Sequence, residues 1–181
     1  YDDGAHCFSC NYSTKKVMSN MEQLKEITTE FTATQDNIQQ ISELNSFAIT
    51  SRGISKQVVD YFGIKMAVNP DGSGGSHYYP YTRDNKVVAY KERRLPKDFI
   101  THGDYKNLQL FGQSVATSGK IVVVTEGELD ACAVAQAFMD KYNKVFPVVS
   151  IPSATGTKSL LDHRSWLRRF ESVVLLFDSD D

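Results

Sequence analysis

The sequence predicts an α/β fold in which a parallel β-sheet flanked by helices follows a smaller α+β region. In the last third of the chain, three apolar runs, IVVVT, VFPVVSI and SVVLLF, are separated by two helical patterns. Runs this apolar are typical of strands covered on both faces, as in a parallel sheet between helices. Right-handed crossovers direct such strands the same way, so we expect their carboxyl ends to share one edge.

The composition of the 181 residues is that of a globular protein, with 41% hydrophobic and 23% charged residues. No apolar run approaches the roughly 20 residues that span a bilayer, which argues against a membrane protein. The formal charge of -2 excludes a uniformly basic surface but permits a local basic patch. The three cysteines, with no signal peptide in view, indicate a reducing compartment, and we expect a cytoplasmic protein.

Residues 1–17 contain half of the ligand set of a metal site, because HCFSCNYSTKK places Cys7 and Cys10 in a CxxC pair. A structural zinc ion requires four Cys or His ligands, and His6 is too close to be assumed a third. Residues 18–45 are polar, with apolar residues too sparse for a buried face, so we expect a linker with some helix. The chain begins without methionine and stops just after a strand pattern, so we expect a fragment.

An α+β subdomain is predicted over residues 46–118. The pattern SKQVVDYFG indicates a helix with Ser55 at its N-cap and Gly63 at its end. Extended patterns follow at 64–68, 77–82 and 86–93. The glycine-rich NPDGSGGS lies between the first two of them and predicts a loop or hairpin tip.

The parallel sheet is predicted over residues 119–181, with its strands at 121–125, 145–151 and 172–177. Helical patterns run from about Glu128 to Tyr142 and from about Thr157 to Phe170. A mostly apolar stripe in the first helix predicts its buried face and consists of Leu129, Cys132, Ala133, Gln136 and Ala137. We therefore interpret Cys132 as a packing residue.

Three carboxylates follow two of these strands. Glu126 comes directly after the first strand, while Asp178 and Asp180 come directly after the third. Alternate residues of an extended segment point the same way, so the two aspartates can act together. If the two strands are neighbours, the three carboxylates converge and need a cation, and Mg²⁺ or Mn²⁺ suits such oxygen ligands. The alternative is that the D-x-D is a chance pattern among 22 acidic residues.

A resemblance to a known family rests on these residues. VVVTEGELDA, followed later by VVLLFDSDD, resembles the TOPRIM domain, a magnesium-binding α/β module of bacterial-type primases, topoisomerases and related nucleases. The CxxC, the polar linker and AYKERRLPKDF precede it in the order seen in phage-type primase-helicases, to which the mitochondrial replicative helicase is related. The resemblance covers nearly the whole chain and implies a TOPRIM-type sheet preceded by a small primase subdomain and a partial zinc ribbon.

The resemblance implies DNA-templated synthesis of short RNA primers. Glu126, Asp178 and Asp180 match the carboxylates that hold Mg²⁺ or Mn²⁺ against the incoming triphosphate. Lys91 and Lys97 match the two lysines that help to handle nucleotide and template. Further implied partners are single-stranded DNA, ribonucleoside triphosphates, a helicase domain in the same parent chain and, through that domain, a ring oligomer. The missing zinc ligands would lie upstream of Tyr1, so Zn²⁺ is expected only in the full-length protein.

Other residues are weaker candidates near the same edge. Arg93 and Arg94 would contact phosphates, although a charged run can instead protect an edge strand from aggregation. In the loop IPSATGTKS, Ser153 and Lys158 would contact phosphate or template, while its threonines can simply cap the next helix. In the first helical turn, where the dipole favours carboxylates, we interpret Asp130 as structural and leave Glu128 open.

Two alternatives to primer synthesis remain open. A topoisomerase or nuclease containing TOPRIM explains neither the CxxC nor AYKERRLPKDF. The second alternative, suggested by the mitochondrial relative, is a degenerate primase module that only binds single-stranded DNA and supports a ring helicase. The presence of Glu126, Asp178 and Asp180 favours the active enzyme, since metal ligands are not needed once chemistry is lost.

Overall fold

A computed structural model of the chain describes residues 6–7, 12–13, 37–68, 75–94, 98–117, 119–152 and 160–178. The chain forms two compact units, Tyr1–Asp36 and Asn37–Asp181. In the first unit, β1 (His6–Cys7) and β2 (Tyr12–Ser13) pair antiparallel. Within the described residues, no helix combines the length and apolar character needed to cross a membrane.

The helix predicted at SKQVVDYFG is confirmed as α1 (Lys56–Phe62). The Ser55 hydroxyl accepts a hydrogen bond from the Val58 amide and so satisfies one of the free donors of the first turn. Gly63 ends the helix at φ 69°, a left-handed conformation that glycine adopts without strain from a side chain. Val58, Val59 and Phe62 are buried, which places one face of α1 in the main core.

An antiparallel sheet in the order β3-β4-β5-β6 follows α1. Three of its strands confirm the predicted extended patterns, and β6 was not predicted. Its strands are β3 (Lys65–Ala67), β4 (Ser76–Arg83), β5 (Lys86–Arg94) and β6 (Asp98–Gly103). Strand β5 therefore lies inside the sheet, between β4 and β6, with both of its edges paired.

A two-residue turn joins β4 to β5. Asp84 and Asn85 both have positive φ, 50° and 59°. Two successive left-handed residues match the hairpin turns whose twist suits adjacent antiparallel strands, and Asp and Asn tolerate this conformation. The turn sets Arg83 opposite Lys86. The ladder then shifts by one residue, since Thr82 pairs with Val87 and Tyr81 with Ala89. The turn and this bulge at Val88 together determine which residues of β5 point to each face of the sheet.

The parallel sheet is confirmed, with strands in the order β8-β7-β9. Its strands are β7 (Ile121–Thr125), β8 (Val148–Ser150) and β9 (Ser172–Leu176). Both neighbours of β7 run parallel to it, so β7 is the central strand. Strand β8 is shorter than predicted, because Val145 and Phe146 lie before it, outside the ladder.

Both faces of β7 and β8 are covered by packing against helices and neighbouring segments. Helix α2 (Glu128–Tyr142) packs on one face, where Val123 and Val148 join the same core cluster as α1, β4 and β5. On the other face, Val122 and Val124 pack in a second cluster that includes Phe170 and Trp166. The second predicted helix is interrupted in the described residues by a turn at His163, which separates helical residues 160–162 from α3 (Arg164–Leu167).

Two expectations about burial were wrong. The buried residues of α2 are Glu128, Ala131, Cys132 and Ala135, whereas Ala133 and Ala137 of the predicted stripe are exposed. The difference arises because Glu128 is buried as an ion pair, which an apolar pattern cannot reveal. Strand β9 is also exposed at every residue within the described part of the chain, although it was expected to be covered on both faces. Cys132 is fully buried, as its interpretation as a packing residue requires, and burial raises the pKa of its thiol.

A buried carboxylate lies on the face of the antiparallel sheet that packs against the helical residues 37–42. Glu92 accepts hydrogen bonds from Ser76 Oγ at 2.6 Å and Arg94 Nε at 2.9 Å, and its Oε2 lies 2.7 Å from His102 Nε2. Burial opposes ionisation, but the hydrogen bonds from Arg94, Ser76 and His102 outweigh it and lower the pKa of Glu92 from 4.5 to about 2. The Glu92 network therefore stabilises the fold in its ionised form.

We expect this stabilisation to be lost in acid. Because the pKa is lowered on folding, the contribution is complete above pH 4.5 and disappears as pH falls through about 2. Its size is about 3 kcal/mol, since one pKa unit corresponds to about 1.4 kcal/mol. Urea unfolding of wild type and Glu92→Gln should differ most near neutral pH and converge towards pH 2. Asp60→Asn, which changes an exposed carboxylate, should cost little at neutral pH.

Candidate active site

The site is built on the carboxyl edge of the parallel sheet, where β7 ends and α2 begins. Thr125 is fully buried, and its hydroxyl donates to the carbonyl oxygen of Gly127 at 3.0 Å. The Gly127 amide in turn donates to Asp130 Oδ2 at 3.1 Å. Glu126 is half-buried between these fixed residues. The bond to Gly127 supports the interpretation of Asp130 as a structural residue of the first helical turn.

The condition for convergence of the carboxylates is that the first and third predicted strands are neighbours, and this is confirmed. β7 and β9 pair in parallel, with Thr125 opposite Leu176. Glu126 therefore follows the C-terminal end of β7 and lies beside the C-terminal end of β9. From there the chain continues through Phe177 to Asp178. Asp178 is exposed, so its carboxylate is accessible from solvent. Asp180 lies outside the described residues.

Glu126 and Asp178 are suitable ligands for a hard cation, because they are carboxylates at adjacent strand ends. Among the residues that the structure describes, no three His, Cys, Asp or Glu side chains are grouped closely enough to hold a metal ion. The third predicted ligand, Asp180, is not among them. The donor chemistry of the two described carboxylates thus fits Mg²⁺ or Mn²⁺, and the three-ligand set stays a prediction.

Glu128 carries a buried ion pair beside this edge. Its Oε1 accepts hydrogen bonds from Lys91 Nζ at 2.9 Å and from Tyr81 Oη at 2.5 Å. The side chain of Glu128 is 6% exposed and that of Lys91 is 19% exposed. Burial, with the adjacent Glu128 carboxylate, raises the pKa of Tyr81 well above its ordinary value, so the phenol stays a donor. Lys91, on β5, is therefore fixed against the first turn of α2.

The basic residues of β5 divide between two faces of the antiparallel sheet. Lys91 and Arg93 share one face with Phe99 of β6, whose ring centroid lies 5.0 Å from Lys91 Nζ and 5.7 Å from Arg93 Cζ. Arg94 lies on the opposite face and pairs with Glu92. The alternative that these charges protect an edge strand is wrong, because β5 is an inner strand. Arg94 therefore could not contact the same ligand as Lys91 and Arg93, because the sheet lies between them.

Several predicted site residues fall outside the described part of the chain. Besides Asp180, they are Lys97 between β5 and β6, Ser153 and Lys158 after β8, and Cys10 of the CxxC pair. Cys7 is in β1, where its backbone pairs with Tyr12. The zinc assignment and the roles of these residues remain predictions. Sequence reasoning did not assign Tyr81 and Phe99 to the site, since a tyrosine inside a strand and a phenylalanine after a basic run carry no distinguishing signal.

Known proteins resemble the chain in sequence. No protein-family model matches it. The DNA helicase/primase of Enterobacteria phage T3 is 33% identical over 135 residues, which cover 74% of this chain and 23% of the relative. The chain thus spans less than a quarter of the length of the curated relative it matches.

Two solved structures resemble it in fold. The primase fragment of the bacteriophage T7 primase-helicase protein superposes with a TM-score of 0.65 at 27% identity, covering 99% of this chain and 73% of that one. A second is a complex of bacteriophage T7 lagging-strand DNA polymerase with primase domains bound to an RNA/DNA hybrid and dTTP. Its matching chain gives a TM-score of 0.63 at 33% identity, with 76% of this chain and 68% of that chain covered.

The fold and the site define a mixed α/β domain of the type found in these primase fragments, with carboxylates at the edge of a parallel sheet. The sequence identity to the phage relatives then identifies the family within this class. The chain belongs to the phage primase-helicases and corresponds to their primase region.

Proposed function

We propose that this chain carries the primer-synthesis centre of a replicative primase-helicase, where ribonucleotides are joined on a DNA template by metal-dependent nucleotidyl transfer. The observation that carries the proposal is the parallel pairing of β7 with β9, which brings Glu126 and the segment leading to Asp178 to one edge. The T7 primase domains bound to an RNA/DNA hybrid and dTTP support it as a family analogy.

Each residue has a task in the proposed reaction. Glu126, Asp178 and Asp180 would hold Mg²⁺ or Mn²⁺, which when bound supplies charge neutralisation and a more acidic 3′-hydroxyl. Lys91, fixed by Glu128, would direct its remaining ammonium protons towards a triphosphate near the carboxylates. Lys97, Ser153 and Lys158 would contact nucleotide or template.

The proposed partners follow from the parent protein. They are single-stranded DNA, ribonucleoside triphosphates and a helicase domain in the same chain, through which a ring oligomer would form. Zn²⁺ would be held by Cys7, Cys10 and an upstream pair of ligands. Arg94 stays a predicted contact to nucleic acid, although its Glu92 partner places it away from the Lys91 face.

Template-dependent incorporation of labelled ribonucleotides by the full-length parent, with Mg²⁺ or Mn²⁺, tests the proposal. We expect short RNA products that require both the template and the metal. If the parent binds single-stranded DNA but extends no primer with either metal, the chain is the binding module that supports a helicase. In that case the synthesis proposal is wrong.

A further inference from the structure

Phe99 is an exposed aromatic ring beside two cations. It lies in β6 directly opposite Arg93 of β5, and the residue is 43% exposed. Lys91 Nζ and Arg93 Cζ lie 5.0 Å and 5.7 Å from the ring centroid. Proteins that bind single-stranded nucleic acid combine such cations for the backbone with aromatic rings for the bases.

Arg93 gives a second, independent indication of an anionic ligand. Its Nε is buried and has no hydrogen-bond partner in the described structure, and within the described residues no carboxylate pairs with its guanidinium. The guanidinium charge is therefore uncompensated among the described residues, and a phosphate that contacts the exposed part of this half-buried side chain would neutralise it. The adjacent Arg94 has its own carboxylate, Glu92, on the other face. Arg93 is thus the arginine of this pair that is available for a ligand.

Phe99 and Arg93 are connected to the candidate active site through Lys91. Lys91 contacts both the ring of Phe99 and the carboxylate of Glu128. Glu128 begins α2, two residues after Glu126. The described residues therefore run in contact from the exposed ring towards the carboxyl edge of the parallel sheet.

We propose that Phe99 is a stacking platform for a base of single-stranded DNA, and that Arg93 contacts a phosphate next to that base. The choice of DNA as the ligand rests on the proposed function, since the template must pass the active site as a single strand. Stacking on an aromatic ring accepts any base, so this site holds the strand without selecting its sequence. Arg93 contributes a contact to the backbone.

Binding of two oligonucleotides to the full-length parent, without nucleoside triphosphates, tests the stacking. One probe is an oligothymidylate, and the other is an abasic strand of the same length and charge. Wild type should prefer the oligothymidylate, and Phe99→Ala should lose about tenfold in affinity for it with little change for the abasic strand. Phe99→Trp should keep the preference, and its added fluorescence should be quenched by oligothymidylate and not by the abasic strand.

Two further variants separate the roles of the ring and the charge. Arg93→Gln should weaken both probes equally and reduce the slope of log affinity against log salt by about one. Tyr142→Ala is the matched control, because Tyr142 is 53% exposed and lies 5.2 Å from Lys141 Nζ, but on α2 away from this face. It should leave the binding of both probes unchanged.

The proposal is overturned if Phe99→Ala weakens both probes equally or neither, since the ring would then serve only the packing of the sheet. It is also overturned if free nucleoside triphosphates, and not oligothymidylate, quench the tryptophan at position 99. A parent that makes no primer yet shows the base-dependent loss in Phe99→Ala would refute the synthesis proposal alone.

Discussion

Asp178→Asn and Glu126→Gln are each expected to reduce primer synthesis by the full-length parent roughly 10²-fold or more, with the fold retained. Each change keeps the size of the side chain and removes one charged oxygen ligand from the adjacent ends of β7 and β9. Asp178 is exposed and Glu126 is half-buried, so neither change removes core packing. Incorporation of labelled ribonucleotides on a DNA template measures the loss.

Asp140→Asn is the matched control for these two variants. Asp140 lies near the far end of α2, where its carboxylate accepts a hydrogen bond from Gln136 on the helix surface. The variant has the same change of charge and should retain synthesis. Synthesis at the wild-type rate in both Asp178→Asn and Glu126→Gln would remove the metal assignment, whereas equal losses in all three variants would point to net charge.

Lys91→Met is expected to lower the free energy of unfolding by about 3 to 5 kcal/mol, because it leaves the buried Glu128 carboxylate without its cation. The Tyr81 hydroxyl would then be its remaining donor among the described contacts. Lys56→Met, which breaks the exposed pair with Asp60, should cost at most about 1 kcal/mol. Urea unfolding of the 181-residue chain measures both changes.

A double variant separates the stability of this pair from its chemistry. Adding Glu128→Gln to Lys91→Met removes the unpaired buried charge and should restore most of the lost stability. In the full-length parent it should not restore primer synthesis, since the ammonium that faces the triphosphate is still missing. Equal costs for Lys91→Met and Lys56→Met would show that the Lys91–Glu128 contact does not hold β5 to α2.

The predictable part of the fold and site was the part encoded by apolar runs. The sequences IVVVT and SVVLLF predict strands, and the crossover rule then orients them, so Glu126 and Asp178 could be placed on one edge before the structure was known, although the expected burial of β9 was wrong. The cap at Ser55 was predictable because it depends on neighbouring residues alone. Pairing of β7 with β9 was a condition of the hypothesis and needed the structure.

The features that the sequence did not reveal depend on long-range polar contacts. Strand β6, which contains Phe99, has the sequence DFITHG, in which apolar and polar residues do not alternate regularly. It therefore gives no clear strand pattern. The buried face of α2 was misplaced because Glu128 is buried through its contacts with Tyr81 and Lys91, distant in sequence. Glu92 likewise finds Ser76 and His102 on the two neighbouring strands, and it then holds Arg94 from its own strand. Side-chain charge alone could not distinguish Arg93 from Arg94.

The two-residue turn at Asp84 and Asn85 limits how well this protein tolerates insertions and deletions. Insertion or deletion of a single amino acid there that is not absorbed at the bulge beside Val88 would exchange the two faces of β5, because side chains alternate along a strand. Arg94 would then replace Arg93 beside Phe99, Lys91 would lose Glu128, and Glu92 would leave the partners that keep it ionised. A length change of one residue at this surface position would thus disable three separate interactions at once, without altering any residue that makes them.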